Sequence, residues 1–199
     1  MRRLILIAGV AVLAACTQTP PAETAPAPDR VDPPAAVSAP PPAPVAPAVK
    51  ADSADAGLAH WDGYGETKFG MDKAAFQKAW GGELKNLNED PACFHLTPVS
   101  AKVPADLAFM FVDSTFARYS TESATLTAPG GGKVGDTTEA VERRYSGKIE
   151  VQPHKYTDGK YLRIQQGDDI LIFATDKTGV VQEWRVGRAP AIDYVEGCA

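Results

Sequence analysis

Two aromatic rings and a carboxylate lie close together in the sequence Trp61-Asp62-Gly63-Tyr64-Gly65. Aromatic faces pack on the apolar faces of sugar rings, and a carboxylate accepts hydrogen bonds from sugar hydroxyls. Trp61, Asp62 and Tyr64 are therefore predicted to bind a ligand, with a glycan as the candidate. The alternative is that both rings close one end of a hydrophobic core.

A second candidate set is His154, Lys155 and Tyr156, which places an imidazole, an ammonium and a phenol near the end of a predicted strand. These groups could hydrogen-bond a sugar or pair with a carboxylate of a partner protein. The alternative is the ordinary polarity of an edge strand. The two sets together make up the predicted ligand-binding residues.

The sequence predicts neither catalysis nor a cofactor. It contains no Gly-x-Ser-x-Gly motif, and the segment 130–133 is not a phosphate loop because Val134 stands where Ser or Thr is needed. The three histidines, His60, His95 and His154, are too scattered for a zinc site. We therefore expect a non-catalytic protein without a bound metal ion.

Residues 1–15 have the pattern of a bacterial secretory signal of the lipoprotein type. Arg2 and Arg3 precede an apolar stretch of about ten residues, whereas roughly 20 are needed to span a bilayer. Small residues then lead to Cys16, which predicts cleavage before this cysteine and its acylation. A plain cleavable signal is the alternative. Thr17, in place of an inner-membrane retention Asp, predicts a lipid anchor on the periplasmic side of the outer membrane.

Residues 16–59 are predicted to be the lipidated cysteine and a disordered linker. Of the chain's 17 prolines, 11 lie in residues 17–59, together with 13 alanines. This composition has too little apolar surface to offset the entropy lost on ordering. The prolines favour extended polyproline II geometry, at about 3.1 Å per residue, which would hold the folded part well away from the membrane.

The other two cysteines, Cys93 and Cys198, form an even pair in an oxidising compartment. A disulfide between them is predicted, and it would close a loop of about 105 residues, which the chain-entropy model values at roughly 4–5 kcal/mol. The alternatives are two free thiols or a pair of metal ligands, although no further ligands lie at a spacing typical of zinc sites.

An internal repeat relates residues 69–84 to residues 134–149. In both segments a glycine precedes a short helical pattern, and aromatic or aliphatic residues recur at the same positions. Asp72 and Thr137 are the predicted N-caps of the two helices. A run of predicted strands, separated by turn residues, follows each helix.

The expected fold class is α+β, with two tandem repeats joined by a Gly-rich segment. Each repeat is a short helix followed by an antiparallel β-meander, the first within residues 60–128 and the second, with a disulfide-bonded tail, within residues 129–199. The Gly-rich segment at 128–132 is expected to be a flexible joint. The two sheets are expected to share an interface or to merge, because each unit is small.

Charge limits the partners that this chain can bind. It has 20 Lys and Arg against 25 Asp and Glu, a net charge of −5, and no basic stripe. Binding to nucleic acid depends on positive charge that neutralises phosphates, so no nucleic-acid partner is expected. The expected partners are the membrane, through the lipid anchor, and either a glycan or an envelope protein.

Six short stretches of the folded part carry a resemblance to a known family: residues 61–65, 69–71, 79–84, 129–135, 151–156 and 194–198. They resemble proline-linker lipoproteins from xanthomonad-type bacteria, whose members are commonly labelled lectins. The resemblance implies carbohydrate binding, and no binding residues are carried over from it. In architecture alone, the tandem pattern also resembles β-lactamase inhibitor protein and outer-membrane lipoproteins of the barrel-assembly type.

Two functions from different classes follow from these observations. A lectin-like module for cell-wall or envelope glycan predicts an exposed cluster of aromatic and carboxylate groups around Trp61 and Tyr64. A protein-binding module, such as an envelope-enzyme inhibitor or an outer-membrane assembly factor, predicts a broad concave sheet face with exposed aromatic and charged side chains. The family resemblance favours the first, and a purely structural lipoprotein is a third alternative.

Overall fold

A computed structural model describes residues 57–88 and 90–198. The predicted signal at 1–15, the lipidation site Cys16 and most of the predicted linker at 16–59 lie outside the described residues. None of the described helices is long and apolar enough to cross a membrane.

Strands account for 42% of the described residues and helices for 15%. A small sheet of three two-residue strands comes first, followed by two short α-helices and eight further strands. In chain order the elements are β1 (Ala59–His60), β2 (Gly63–Tyr64), β3 (Thr67–Lys68), α1 (Lys73–Trp80), β4 (Leu84–Asn86), β5 (Cys93–Pro98), β6 (Ala108–Val112), β7 (Thr115–Thr121), α2 (Thr138–Arg144), β8 (Ile149–Pro153), β9 (Lys160–Gln166), β10 (Asp169–Thr175) and β11 (Val181–Arg188).

Strands β4 to β11 form one antiparallel sheet in the order β4-β5-β6-β7-β11-β10-β9-β8, with β4 and β8 at its edges. Its two halves meet where β7 pairs with β11, with Tyr119 opposite Val186 and Arg118 opposite Gly187. A Cβ atom at Gly187 would lie 2.7 Å from the carbonyl oxygen of Ala117. The junction between the halves therefore requires a glycine at this position.

The predicted fold class, α+β with two tandem helix-plus-meander repeats, is wrong. The described residues form a mostly β protein with two helices and one large sheet. Separate meanders would leave the backbone groups of β7 and β11 without partners at two extra sheet edges. Pairing of β7 with β11 satisfies those groups, so the strands join in one sheet.

The predicted helix starts at Asp72 and Thr137 are confirmed. The Asp72 carboxylate accepts a hydrogen bond from the backbone amide of Ala75 at 2.8 Å, and the Thr137 hydroxyl caps α2 in the same way. Both side chains satisfy amides that have no partner within the helix. Helix α1 is capped at its end by Gly81, in a left-handed conformation with φ of 72°.

An aromatic core lies between the helices and one face of the sheet. Phe76 of α1 is fully buried, with ring centroids 5.0 Å from Phe109 and 4.7 Å from Phe116 in edge-to-face geometry. At the junction of the two halves, the buried ring of Trp184 lies 5.8 Å from that of Tyr119. The rings of both halves thus pack in a single core.

The Gly-rich segment at 128–132 is packed, which corrects the expectation of a flexible joint. The Tyr145 hydroxyl donates to the carbonyl oxygen of Pro129 at 2.6 Å, and burial raises the pKa of Tyr145 to about 12. A Cβ atom at Gly132 would lie 2.5 Å from the ring of Phe173. Glycine here allows the backbone to approach two aromatic rings closely.

Residues 189–198, called the C-terminal strap below, cover the sheet face that points away from the helices. The Arg118 guanidinium donates to the carbonyl oxygen of Tyr194 at 2.6 Å, and the Arg185 Nε donates to that of Ile192 at 3.1 Å. Both arginines are buried beneath the strap. Backbone carbonyls of the strap therefore accept a hydrogen bond from one nitrogen of each guanidinium, a charged group that would be costly to bury alone.

The predicted disulfide between Cys93 and Cys198 is confirmed. It joins β5 to the end of the strap, with the two Cα atoms 5.2 Å apart. The covalent bond and the arginine hydrogen bonds hold the strap on the same face of the sheet.

Replacement of both cysteines, Cys93→Ser with Cys198→Ser, is expected to lower the free energy of unfolding by about 2–5 kcal/mol, because the unfolded chain regains the entropy of a long loop. Urea unfolding of the variant and of the parent protein measures the difference. Glu142→Gln, an exposed substitution on α2, is the control and should change stability by less than about 0.5 kcal/mol. Equal stability of the double variant and the parent would contradict a stabilising role for the bridge.

His95 lies beneath the end of the strap, where its ring carbon Cε1 would be 2.9 Å from a Cβ atom at Gly197. Burial and the nearby charge of Arg118 lower the pKa of His95 from 6.5 to about 4. Between these two values the unfolded chain binds more protons than the folded protein does. The contribution of His95 to stability is therefore lost as the pH falls through this range.

We expect His95→Gln to reduce the loss of stability between pH 6.5 and pH 4, because glutamine does not titrate. Urea midpoints of the variant and the parent, measured at several pH values in this range, test the expectation. Gln166→Asn, an exposed substitution that changes no titratable group, is the control and should leave the pH profile of stability unchanged. Parallel profiles for His95→Gln and the parent would show that His95 is not the titrating group.

Candidate functional site

The structure places Trp61 and Tyr64 at one end of the aromatic core. Tyr64 is only 2% exposed, and its ring lies 5.4 Å from that of Tyr119 and 6.2 Å from that of Trp80. Trp61 is partly buried against the same core. Asp62 pairs with Lys68 at 2.9 Å, and this hydrogen bond lowers the pKa of Asp62. The two rings therefore close the core and do not form an exposed cluster with the carboxylate.

His154, Lys155 and Tyr156 follow β8 in the turn that leads to β9. The His154 ring stacks on Tyr161 at 4.5 Å, while the Lys155 ammonium lies 4.9 Å from the centre of the Tyr156 ring. Tyr156 is 57% exposed. The three residues are thus neighbours at the surface, with the histidine held against the sheet.

A polar cleft of about 710 Å³ includes His154 and Tyr156 in its walls. Burial, together with the nearby charge of Glu183, raises the pKa of Glu122 in the same cleft. The Glu183 carboxylate also lies 3.5 Å from the Arg185 guanidinium. The Glu183 carboxylate of this cleft is thus already paired with a positive charge of the protein itself.

The two predicted sets lie on opposite faces of the sheet. Tyr161, on which His154 stacks, packs with Ile172 and Ile192 on the face that the strap covers. The next residue along β9, Leu162, belongs to the core that contains Tyr64. Because adjacent strand residues point to opposite faces, the sets cannot contribute to one site.

Trp80 lines two adjoining cavities at one end of the helix-covered face, of about 350 Å³ and 490 Å³. The cavities share Trp80, Pro98 and Ser100 in their walls, and the two together are called the Trp80 groove below. The larger cavity is completed by Gly82, Glu83 and Val99. The smaller one is completed by Leu58, Tyr64, Ala101, Lys102, Asp106, Leu107, Ser123, Thr125 and Leu126.

The Trp80 indole is positioned by the end of α1 and by the core. Trp80 is the last residue of the helix, and its ring packs edge to face on Phe109 at 5.0 Å. A Cβ atom at Gly82 would lie 2.9 Å from the indole Nε1, so a glycine at this position leaves the ring room. The side chain is half-buried. One part of the ring is therefore held by the core while another part faces the groove.

Short polar side chains lie beside the apolar surface of the groove. The Asp106 carboxylate accepts hydrogen bonds from the backbone amides of Lys102 and Val103 at 3.0 and 3.1 Å, which fixes its position. The Ser123 and Thr125 hydroxyls are hydrogen-bonded to each other at 2.8 Å. An aromatic surface with a few fixed polar groups is typical of small-molecule sites.

A further cavity of about 490 Å³ lies at the start of α1. Its lining includes Asp72, whose carboxylate is used as the helix cap, and Phe94, which is 8% exposed and stacked on Phe111 at 4.9 Å. The ring of Phe94 is thus already covered by the protein and is not available to a ligand in this cavity. Within residues 57–88 and 90–198, no group of three or more His, Cys, Asp or Glu side chains could hold a metal ion.

Trp80 was missed as a site residue because its helical spacing indicates a core position. The spacing is correct for Phe76, which is fully buried, but α1 ends at Trp80 and the chain turns away at Gly81. A large aromatic residue directly before two glycines is the sequence signal that could have identified it.

No family model matches the chain. No curated protein matches it either. Parts of solved structures are similar to it at low identity. One is an extracellular protein containing an SCP domain from Bacillus anthracis str. Ames, with 10% identity and a TM-score of 0.43 over 60% of this chain and 44% of that protein. This chain thus spans less than half the length of that protein.

Two other similar structures come from different bacteria. A DUF4309 family protein, YjgB, from Bacillus subtilis has 14% identity and a TM-score of 0.40 over 59% of this chain and 78% of its own. The uncharacterized protein yfeY from Escherichia coli has 14% identity and a TM-score of 0.43 over 62% of this chain and 94% of that protein. At these values the similarities carry no argument about function.

Proposed function

We propose that this protein is a non-catalytic, lectin-like binding module that holds a glycan of the cell envelope in the Trp80 groove. The observation that carries the proposal is the half-buried indole of Trp80, which lines two adjoining cavities and is fixed by Phe109 behind it. Sugar rings have apolar C–H faces that pack on such an indole. Because the ring is already immobilised by the core, binding costs little further side-chain entropy.

Polar groups of the groove support a hydroxyl-rich ligand. Asp106 can accept hydrogen bonds from sugar hydroxyls, and the hydroxyls of Ser100 and Ser123 can both donate and accept. These side chains lie in the same walls as Trp80 and Pro98. The combination of one aromatic surface with several short polar groups fits a sugar better than a purely apolar ligand.

The alternative, a protein-binding module, requires a broad exposed sheet face. The middle of the face opposite the helices is instead covered by the strap, and Arg118 and Arg185 are 5% and 4% exposed. The other face is occupied by the helices and the aromatic core. This arrangement supports the glycan over an envelope enzyme or an assembly factor as the partner.

A location at the outer membrane, with a lipid on Cys16 and the folded part in the periplasm, belongs to the same proposal. It rests on the signal-like residues 1–15 and on the resemblance to lipoproteins labelled lectins. The disulfide between Cys93 and Cys198 is consistent with an oxidising compartment. In that compartment, envelope glycans are the abundant sugar polymers within reach.

Residues 17–199, exported behind a cleavable signal so that the disulfide forms and no lipid is added, provide the protein for the test. The protein is sedimented with sacculi purified from the bacterium that produces it. In a separate experiment it is passed over immobilised envelope polysaccharide from that bacterium. Retention on one polymer that is released by its soluble fragments supports the proposal. Recovery of all the protein in the unbound fraction of both experiments contradicts it.

Trp80→Ala is expected to weaken retention about tenfold or more, because the indole surface is lost. Trp80→Phe should have a smaller effect. Tyr156→Ala, an exposed aromatic residue on the opposite face, is the matched control and should leave binding unchanged. Circular dichroism checks that each variant is folded. Full retention by Trp80→Ala, or loss of binding in Tyr156→Ala, would exclude the groove as the site.

Gly82→Ala tests the placement of the indole without removing it. The added Cβ would lie 2.9 Å from the Trp80 Nε1, so the ring must move. We therefore expect weaker binding, although the charge of the protein is unchanged. Lys85→Ala, three residues further along, is the control and should bind as the parent does. Equal affinities of Gly82→Ala and the parent would show that the observed position of the ring is not needed.

A further inference from the structure

We infer that the ligand of the Trp80 groove is an extended glycan chain, with sugar units on both sides of the indole, and not a single sugar. This inference rests on the proposed function and specifies its ligand class. The groove consists of two cavities that share Trp80, Pro98 and Ser100. A ligand that crosses the shared residues can fill both cavities at once.

Each cavity alone is within the size range of small-ligand sites, which begins at roughly 300 Å³. The two volumes are about 350 Å³ and 490 Å³. A single sugar could occupy only one of them and would leave the other to water. A chain gains contacts in both while losing its translational freedom once, so its affinity should exceed that of a short fragment.

The chemistry of the two cavities favours the same class of ligand. Lys102 and Asp106 lie in the smaller cavity, and Glu83 lies in the larger one. Opposite charges are thus present together, and the groove has no strong net charge of one sign. Hydroxyl-rich units can bind along its whole length, whereas a strongly charged polymer would meet a like charge at some point.

A length series tests the inference. Fragments are cut from the polymer that retains the protein, separated by the number of sugar units, and titrated into residues 17–199 by calorimetry. We expect the affinity to rise at least tenfold from the shortest fragment to the one that fills both cavities, and then to level off. Equal affinity for the shortest and the longest fragments would overturn the inference while leaving the proposed function intact.

A cavity-blocking variant provides the second measurement. Ala101→Phe adds a ring within the smaller cavity, so we expect it to reduce the gain in affinity from the shortest to the longest fragments. Val103→Phe, two residues away and outside both cavities, is the matched control and should keep the full length dependence. An undiminished gain in Ala101→Phe would overturn the inference.

Two further outcomes separate the inference from the proposed function. Binding of the intact polymer together with an equally weak affinity for fragments of every length would overturn the inference of an extended chain alone. Absence of binding to any polymer would contradict the proposed function, and the inference with it.

Discussion

The hydrogen bonds between β7 and β11 make one sheet from two sets of strands, and the rest of the structure depends on this pairing. It brings Phe76 of α1 and Val141 of α2 into one core, because both helices then pack on the same continuous face. It also gives the opposite face enough width for the strap, whose carbonyls bind arginines from both sides of the junction. Without this pairing, neither half would have enough neighbours to bury its rings.

The two faces of the sheet differ in what holds them together. The helix-covered face is held by interlocking aromatic rings, which have few rotatable bonds and fix their neighbours. The strap-covered face is held by a disulfide and by hydrogen bonds from buried guanidinium groups to backbone carbonyls. The Trp80 groove lies at an end of the first face, where the ordered core extends almost to the surface. The rigidity of the indole is therefore a property of the core behind it.

Two kinds of feature were predicted correctly, because neither requires knowledge of how the strands pair. The caps at Asp72 and Thr137 depend on contacts within one helical turn, and the pairing of Cys93 with Cys198 follows from the number of cysteines. Merging of the two sheets was one of two expectations, but the strands that join them, β7 and β11, were not predicted because they are distant in the chain. The exposure of Trp80 was missed for a related reason, since it depends on where the segment at 98–107 lies.

The candidate residues around Trp61 also depend on contacts with distant segments, which the sequence did not predict. Aromatic spacing indicates that Trp61 and Tyr64 lie together, but burial of Tyr64 at 2% exposure results from rings contributed by three other elements. For His154 and Tyr156 the sequence correctly predicted a polar set near a strand end. The face of the sheet on which this set lies, relative to the set around Trp61, is decided by how the strands pair. The sequence of a single segment does not reveal that pairing.

The edges of the sheet bear on how neighbouring copies behave. An exposed strand edge is a template for adding strands from another molecule, which leads to aggregation. Here β4 has only three residues, including Lys85, and β8 carries Glu150 and ends at Pro153, which has no amide hydrogen to donate. Copies of the protein at high local concentration would thus find little to extend at either edge, which disfavours the growth of fibres from this sheet.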